Sequence, residues 1–269
     1  MTARSVLRAV SLKTPAQTRG PFAIVRPLSA LGLDLDPFLM IDWARGSEDP
    51  FGPHPHAGFS AVTWLLPTST GSVRNRDSLG DDSVFHAGEL HWFEAAHGAV
   101  HNETPINGEI ELLQIFVNLP LSQKHEAPRT YRATVDTIPV VTVDDARVRV
   151  VVGRFGDAVS VLPRTPDVGL LHVELDGTVR LPLPKEHNAA AIVTSGDVRA
   201  NGVEGNVFGL AHDGDHVELV GRGHVVVLHG RPLQEPVFAG GPFVMGSRAD
   251  LQDAIRRYHG GAMGHVQPL

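Results

Sequence analysis

No cysteine occurs among the 269 residues. That absence excludes disulfides, thiolate-bound zinc and cysteine nucleophiles together, so any metal must be held by histidine and carboxylate. Long apolar runs are missing as well. Nowhere do about 18 apolar residues follow one another, and no membrane-crossing helix is expected. Residues 1–20 carry basic side chains but no continuous apolar stretch, which does not fit a secretory leader, so the expected location is the cytoplasm. A basic excess is lacking too. The 23 Lys and Arg are outnumbered by 30 Asp and Glu, for a net charge of −7. Binding nucleic acid through its phosphates needs the opposite balance.

What the chain has instead is turn residues, with 28 glycines and 20 prolines, and these favour many short strands over long helices. Strands are expected at Ser5–Val10, Phe22–Pro27, Pro37–Asp42, Phe59–Leu66 and Leu112–Val117, with loops over Leu31–Asp36 and Trp43–Pro53. After the polar connection Pro120–Tyr131, the best linker candidate, the same rhythm resumes. Gly169–Leu175, Thr178–Leu183, His216–Val220 and His224–Leu228 read as strands, and Asp176-Gly177, Asn201-Gly202 and Asp213-Gly214 as turns. One helix stands near the end. Ser247 is its N-cap, Leu251, Ile255 and Tyr258 its apolar stripe, and Gly260-Gly261 its stop. Two strand-rich halves point to two β-barrels or sandwiches.

The chemistry gathers at Phe51-Gly-Pro-His-Pro-His-Ala-Gly-Phe59. Histidines two apart in extended backbone share a face. Pro55 favours an extended His54 and lacks a ladder donor, which places the segment at a strand start, an edge or a bulge. His101 and Glu103 repeat the i, i+2 spacing. If the two segments are neighbours, three imidazoles and a carboxylate converge, a set suited to a divalent first-row ion: Fe(II) first, then Mn, Ni, Cu or Zn. Four protein ligands around an octahedral ion leave two positions open, as catalysis requires. Fifteen histidines also make chance pairs frequent. Spacing alone therefore leaves the shared site beside an ordinary reading as strand residues. It also allows a second site from His172-x-Glu174 and His216-x-Glu218, though no His-x-His completes that set.

His54-Pro-His56-x-Gly58-Phe59, Arg76-Asp77-Ser78-x-Gly80, Gly88-Glu-Leu-His-Trp92 and His101-x-Glu103-x-Pro105 resemble, in order and spacing, the pirin family. Asp36-Pro-Phe-Leu-Met40, Phe116-Val-Asn-Leu-Pro120 and Gly241-Pro-Phe-Val-Met245 extend the resemblance over nearly the whole chain. It implies an all-β bicupin, two cupin-type β-barrels with a short C-terminal helix. Residues 1–133 would be the metal-binding cupin domain and 134–269 a cupin domain without metal, with the tail 243–269 packed back on the first. It also implies one metal, held by His54, His56, His101 and Glu103. For several members it implies quercetin 2,3-dioxygenation, in which a flavonol binds the metal through its 3-hydroxyl, loses a proton to a base and reacts with dioxygen, releasing carbon monoxide. Glu103 would serve as ligand and base. For other members it implies a non-enzymatic iron-bearing protein that binds transcription factors or metabolic enzymes.

The surroundings depart from the family's usual pattern. Ala57 stands where pirins carry arginine, Ser60 where they carry glutamate, Asn75 where they carry histidine and His91 where they carry glutamine. Phe93, Glu94 and His97 are further departures. His91 and His97 read as outer-sphere or surface groups, Phe59 and Trp92 as barrel core, and Arg76 with Asp77 as an ion pair or turn. Three readings stay open: a dioxygenase of flavonol-like phenols, a metal-bearing interaction protein, and a metal enzyme of different chemistry in the same frame. The partner is accordingly a small aromatic substrate or a protein, and a monomer is the default.

Overall fold

The computed structural model describes residues 2–17, 21–162 and 166–267. The chain is all-β with two barrel-like units, as the turn-rich sequence requires. One unit gathers Met1–Thr14, Val25–Pro37 and Val135–Pro232, the other Pro15–Ile24, Phe38–Thr134 and Leu233–Leu269. The division is therefore not a single cut at 133/134. The Val6–Val10 strand pairs antiparallel with Val207–Leu210, which carries the N-terminus into the later barrel.

In that later unit seven strands form one sheet around a core of aliphatic residues such as Val148, Leu171, Val173, Val193 and Val227. The Asp176-Gly177 turn expected from the sequence is not a turn. Val168–Pro182 is one continuous strand paired along its length with His216–Gly230, and Gly177 lies opposite Gly221. Both glycines have strongly positive φ (143° and 140°), so the ladder bends there without breaking.

The unit that includes Phe38–Thr134 holds a six-stranded and a four-stranded sheet. Central to the first are Leu90–Glu94, Phe59–Leu65, Ile110–Asn118 and Phe38–Gly46. The last extends four residues into the expected loop because Trp43 and Ala44 are buried core residues. A short helix, Pro27–Leu31, precedes the expected Leu31–Asp36 loop, with proline at its first turn and Gly32 in the left-handed conformation closing it. The helix Arg248–His259 lies where its capping signal predicts, with Ser247 accepting from the Asp250 backbone N–H.

The polar stretch 120–131 is not a linker. It folds within its unit, and Arg129–Ala133 pairs with Leu90–Glu94. Its Lys124 is buried, and the ammonium donates to the Gly58 carbonyl (2.6 Å), Asn118 Oδ1 (2.6 Å) and the Val244 carbonyl (3.0 Å). Val244 N–H in turn donates to the Ala57 carbonyl at 2.9 Å. Segment 242–245 thus lies against residues 57 and 58, so close that a Cβ on Gly58 would fall 1.8 Å from the Val244 carbonyl oxygen. Lys124→Met would strip these three oxygens of a charged donor. Urea denaturation should show a loss of about 2–4 kcal/mol, and an unchanged midpoint would show that the ammonium is dispensable.

Candidate metal centre

His54–His56 forms a three-residue strand at the edge of the four-stranded sheet. Pro55, without an N–H, fits there because an edge strand leaves one side unpaired. Its partner is Ala99–Ile106, in a register that sets His54 opposite His101 and His56 opposite Ala99. That partner strand begins at Ala99, just after Gly98 in the left-handed region. Cross-strand pairing and i, i+2 spacing together put three imidazoles on one face, with their candidate ligand atoms all within 4.8 Å of one another.

The orientation of each ring has a visible cause. Asp49 Oδ1 accepts the N–H groups of Phe51 (3.0 Å) and Gly52 (2.9 Å), shaping the turn before the strand. Asp49 Oδ2 accepts from Asn102 Nδ2 at 2.6 Å, which ties that turn to the strand bearing His101. Gly52, at φ 59°, then offers its carbonyl to His54 Nδ1 at 2.8 Å. A proton on Nδ1 leaves a neutral His54 with a lone pair on Nε2, which faces His101 Nε2 at 3.1 Å. The His101 ring stacks on Phe93, centroids 4.5 Å apart and planes 5° from parallel. His56 packs against Phe59 (5.0 Å) and Phe116 (5.2 Å).

Burial keeps all three rings neutral. It is the first cause lowering His54, His56 (to about 3) and His101 (well below the usual histidine range), and the rings' mutual repulsion adds to it for His56 and His101. Nδ1 of His56 and Nδ1 of His101 are buried without a closed hydrogen bond, although the Pro242 carbonyl faces the His56 ring. Neutral imidazoles converging with spare lone pairs fit a divalent transition ion, which gains from each lone pair and competes with few protons.

Glu103 lies on the same strand as His101 but outside the three-histidine cluster. Thr63 Oγ1 donates to its Oε1 at 2.7 Å and also lies 2.9 Å from Gln114 Oε1. His91 Nδ1 is 3.7 Å from the same carboxylate oxygen. Burial raises the Glu103 carboxyl to about 7, against the Thr63 hydrogen bond and with the Asp49 charge. Both states of this carboxyl are thus accessible near neutral pH, as a proton acceptor needs.

The other predicted residues fall into distinct places. His91 is fully buried, not a surface group. Its ring stacks on Phe85 (5.4 Å) and stands between Glu103 and Asp81, 3.9 Å from the latter. His97 is exposed, 6.3 Å from the His125 ring. Ala57 is buried in an apolar cluster with Phe243, Met245, Ala254 and Met263. Ser60 and Asn75 are buried, and Asn75 donates to Asp81 at 2.8 Å. Phe59 and Trp92 are core. Arg76 and Asp77 do not pair with each other: Asp77 accepts the N–H groups of Leu79 (2.9 Å) and Asp81 (3.0 Å), while Arg76 reaches Asn102 (3.2 Å). In the other unit Glu174 pairs with Arg149 (2.8 Å) and Glu218 with Arg180 (2.8 Å), so each carboxylate of the two His-x-Glu pairs is engaged by arginine.

The sequence reading missed Asp49, Gly52, Thr63 and Gln114. Asp49 had a signal, an acidic residue two and three positions before the N–H groups it holds. Thr63 and Gln114 had none: pairing sets them opposite each other in the six-stranded sheet, and they meet Glu103 of the four-stranded sheet only in the folded chain. If Glu103 joins the histidines on the ion, binding Zn(II) or Fe(II) at pH 6.0 should release about one proton. Three ordinary histidines would release about two. Calorimetry in buffers of different ionisation heat reads this count, and Glu103→Gln should bring it close to zero. Two or more protons from wild type would overturn the neutral-histidine account.

Known proteins bear on this geometry. Residues 12–117 match the family described as Pirin, and residues 170–264 match the Pirin C-terminal cupin domain. A Pseudomonas aeruginosa protein provisionally named quercetin 2,3-dioxygenase is 33% identical over 256 residues, covering 87% of this chain and 88% of its own. Pirin of Mus musculus is 34% identical, covering 82% of this chain and 81% of its own. Among solved structures, a protein from Acinetobacter baumannii described as quercetin 2,3-dioxygenase superposes with a TM-score of 0.85 at 27% identity. That match covers 99% of this chain and all (100%) of the other. The two units are cupin domains, and the chain belongs to the pirin family.

Proposed function

We propose that this pirin is a metal-dependent dioxygenase of flavonol-like phenols, with His54, His56, His101 and Glu103 around one ion, Fe(II) first among the candidates. The observation that carries the reading is three buried or half-buried imidazoles with ligand atoms within 4.8 Å of one another, and the Thr63-held carboxyl of Glu103 on the strand that bears His101. Relatives named for quercetin 2,3-dioxygenation support the substrate class. A bound first-row ion would supply Lewis acidity toward a phenolic oxygen and a partner for dioxygen.

The residues of the chain account for the rest. Thr63 holds the Glu103 carboxylate in place through Oε1. From there Glu103 takes the proton of a substrate hydroxyl, a transfer its raised carboxyl favours more than an ordinary glutamate would. Buried Phe59 and Phe93, with Phe116, wall the histidines on their apolar side and keep water from that part of the barrel. His91 and Asp81 stand beyond Glu103 in the same polar chain. Among the described residues no helix is long and apolar enough to cross a membrane. The proposed setting is the cytoplasm, with a small diffusible substrate.

The test is direct. Anaerobically iron-loaded protein mixed with quercetin in air should consume the flavonol, followed by absorbance, while His56→Ala should not exceed the background oxidation. Glu103→Gln should lower the rate by roughly 10²–10⁴-fold. The wild-type rate should fall as pH drops and protonates Glu103, an acid limb that the glutamine variant lacks. No wild-type consumption above His56→Ala would remove the flavonol reading. Metal binding without turnover of any phenol would then point to a protein that carries its ion as an interaction partner.

A further inference from the structure

Phe51 is the only phenylalanine among the exposed large hydrophobic side chains of the described residues, at 62% exposure. It stands two residues before Pro53 in the turn that leads to the first metal-site histidine. The turn does not need it. Asp49 closes the turn by accepting backbone N–H groups at 51 and 52, bonds that any residue at 51 other than proline would supply. Nor does the core need it. Its ring meets Phe22 edge-on at 6.1 Å and otherwise faces solvent and His54, whose ring is 6.0 Å away at a 58° tilt. An aromatic ring left in water forfeits the burial that favours such side chains inside.

The position of the ring gives it a use. Of the three histidines, His54 is the only one not fully buried, so its side of the cluster lies nearest solvent. Phe51 flanks that side. Its backbone is fixed by the same Asp49 carboxylate that sets the Gly52 carbonyl on His54 Nδ1, so the ring and the ligand are held in one rigid frame. Asn102, between His101 and Glu103 in sequence, locks that frame from the other strand, with Arg76 Nη2 donating to its Oδ1 at 3.2 Å.

We propose that Phe51 is a specificity-determining residue that stacks against the ring system of a planar aromatic substrate as its hydroxylated edge enters beside His54. This rests on the reading of the site as one for flavonol-like phenols, and it adds the surface that selects flat, multi-ring ligands over small ones. Stacking supplies affinity for the ring system, and the metal-site residues act on the hydroxyl.

Binding, read apart from turnover, tests it. Iron-loaded wild type, Phe51→Ala and Phe51→Tyr are titrated anaerobically with quercetin, followed by the flavonol absorbance shift, and separately with azide, a small ligand with no ring. Phe51→Ala should weaken quercetin by about 3- to 10-fold, leave azide affinity and iron content unchanged, and be rescued by Phe51→Tyr. Equal quercetin affinity in Phe51→Ala would overturn the proposal. So would a parallel loss of azide binding, which would make the ring a prop for His54. The two readings fail separately. If wild type binds no quercetin, the flavonol reading falls and this inference with it. If wild type binds and the alanine variant binds equally, only the role of Phe51 is lost.

Discussion

Burial of imidazole in the neutral state is the constraint on which the site depends. A histidine surrounded by strands and phenylalanines cannot hold a charge cheaply, and three of them within 4.8 Å cannot hold charges together. The fold therefore fixes lone pairs, not protons, at the centre. That order of causes explains the supporting cast. Gly52 takes the one proton that His54 must keep, Phe93 holds the His101 ring flat, and Phe59 and Phe116 deny water to His56. Glu103 obeys the same rule with the opposite sign, since an apolar setting raises an acid as it lowers a base. One environment thus prepares both a receptive donor set and a proton acceptor.

Much of this was legible in the chain. His54-Pro-His56 carried its own geometry, because alternation sets the shared face and proline sets the edge. The C-terminal helix was equally plain, as Ser247, the apolar stripe and the glycines each mark a different part of it. What alternation cannot give is the neighbour on another sheet. Thr63 touches Glu103 across forty positions of sequence, and His91 reaches it from a third strand. Asp176-Gly177 misled for a related reason: the dipeptide favours a tight turn, yet glycine opposite glycine also lets two long strands bend together. The expected linker failed because local polarity hid Lys124, two of whose three acceptors, the Gly58 and Val244 carbonyls, come from distant segments.

The departures from the family's usual residues acquire physical meaning in the folded chain. Ala57 is not a missing charge at the metal but a small residue beneath Phe243 and Met245. Asn75 and His91 sit in one buried polar chain through Asp81. An imidazole at 91 in place of the family's usual glutamine, with Asn75 in place of its histidine, keeps a ring in that chain and moves it from the strand paired with Glu103 to a strand of the other sheet.

The ammonium of Lys124 has a consequence for the life of the polypeptide. One of its three oxygens belongs to Val244, which leaves the ribosome more than a hundred residues after Lys124 itself. Two of the three, the Gly58 carbonyl and Asn118, precede Lys124 in the chain, and Gly58 follows His56 by two residues. A growing chain can assemble the ligand strands, but it cannot close the polar knot beneath them. A chain cut short before Val244 would carry every predicted ligand yet lack one of the three oxygens that accept from the Lys124 ammonium.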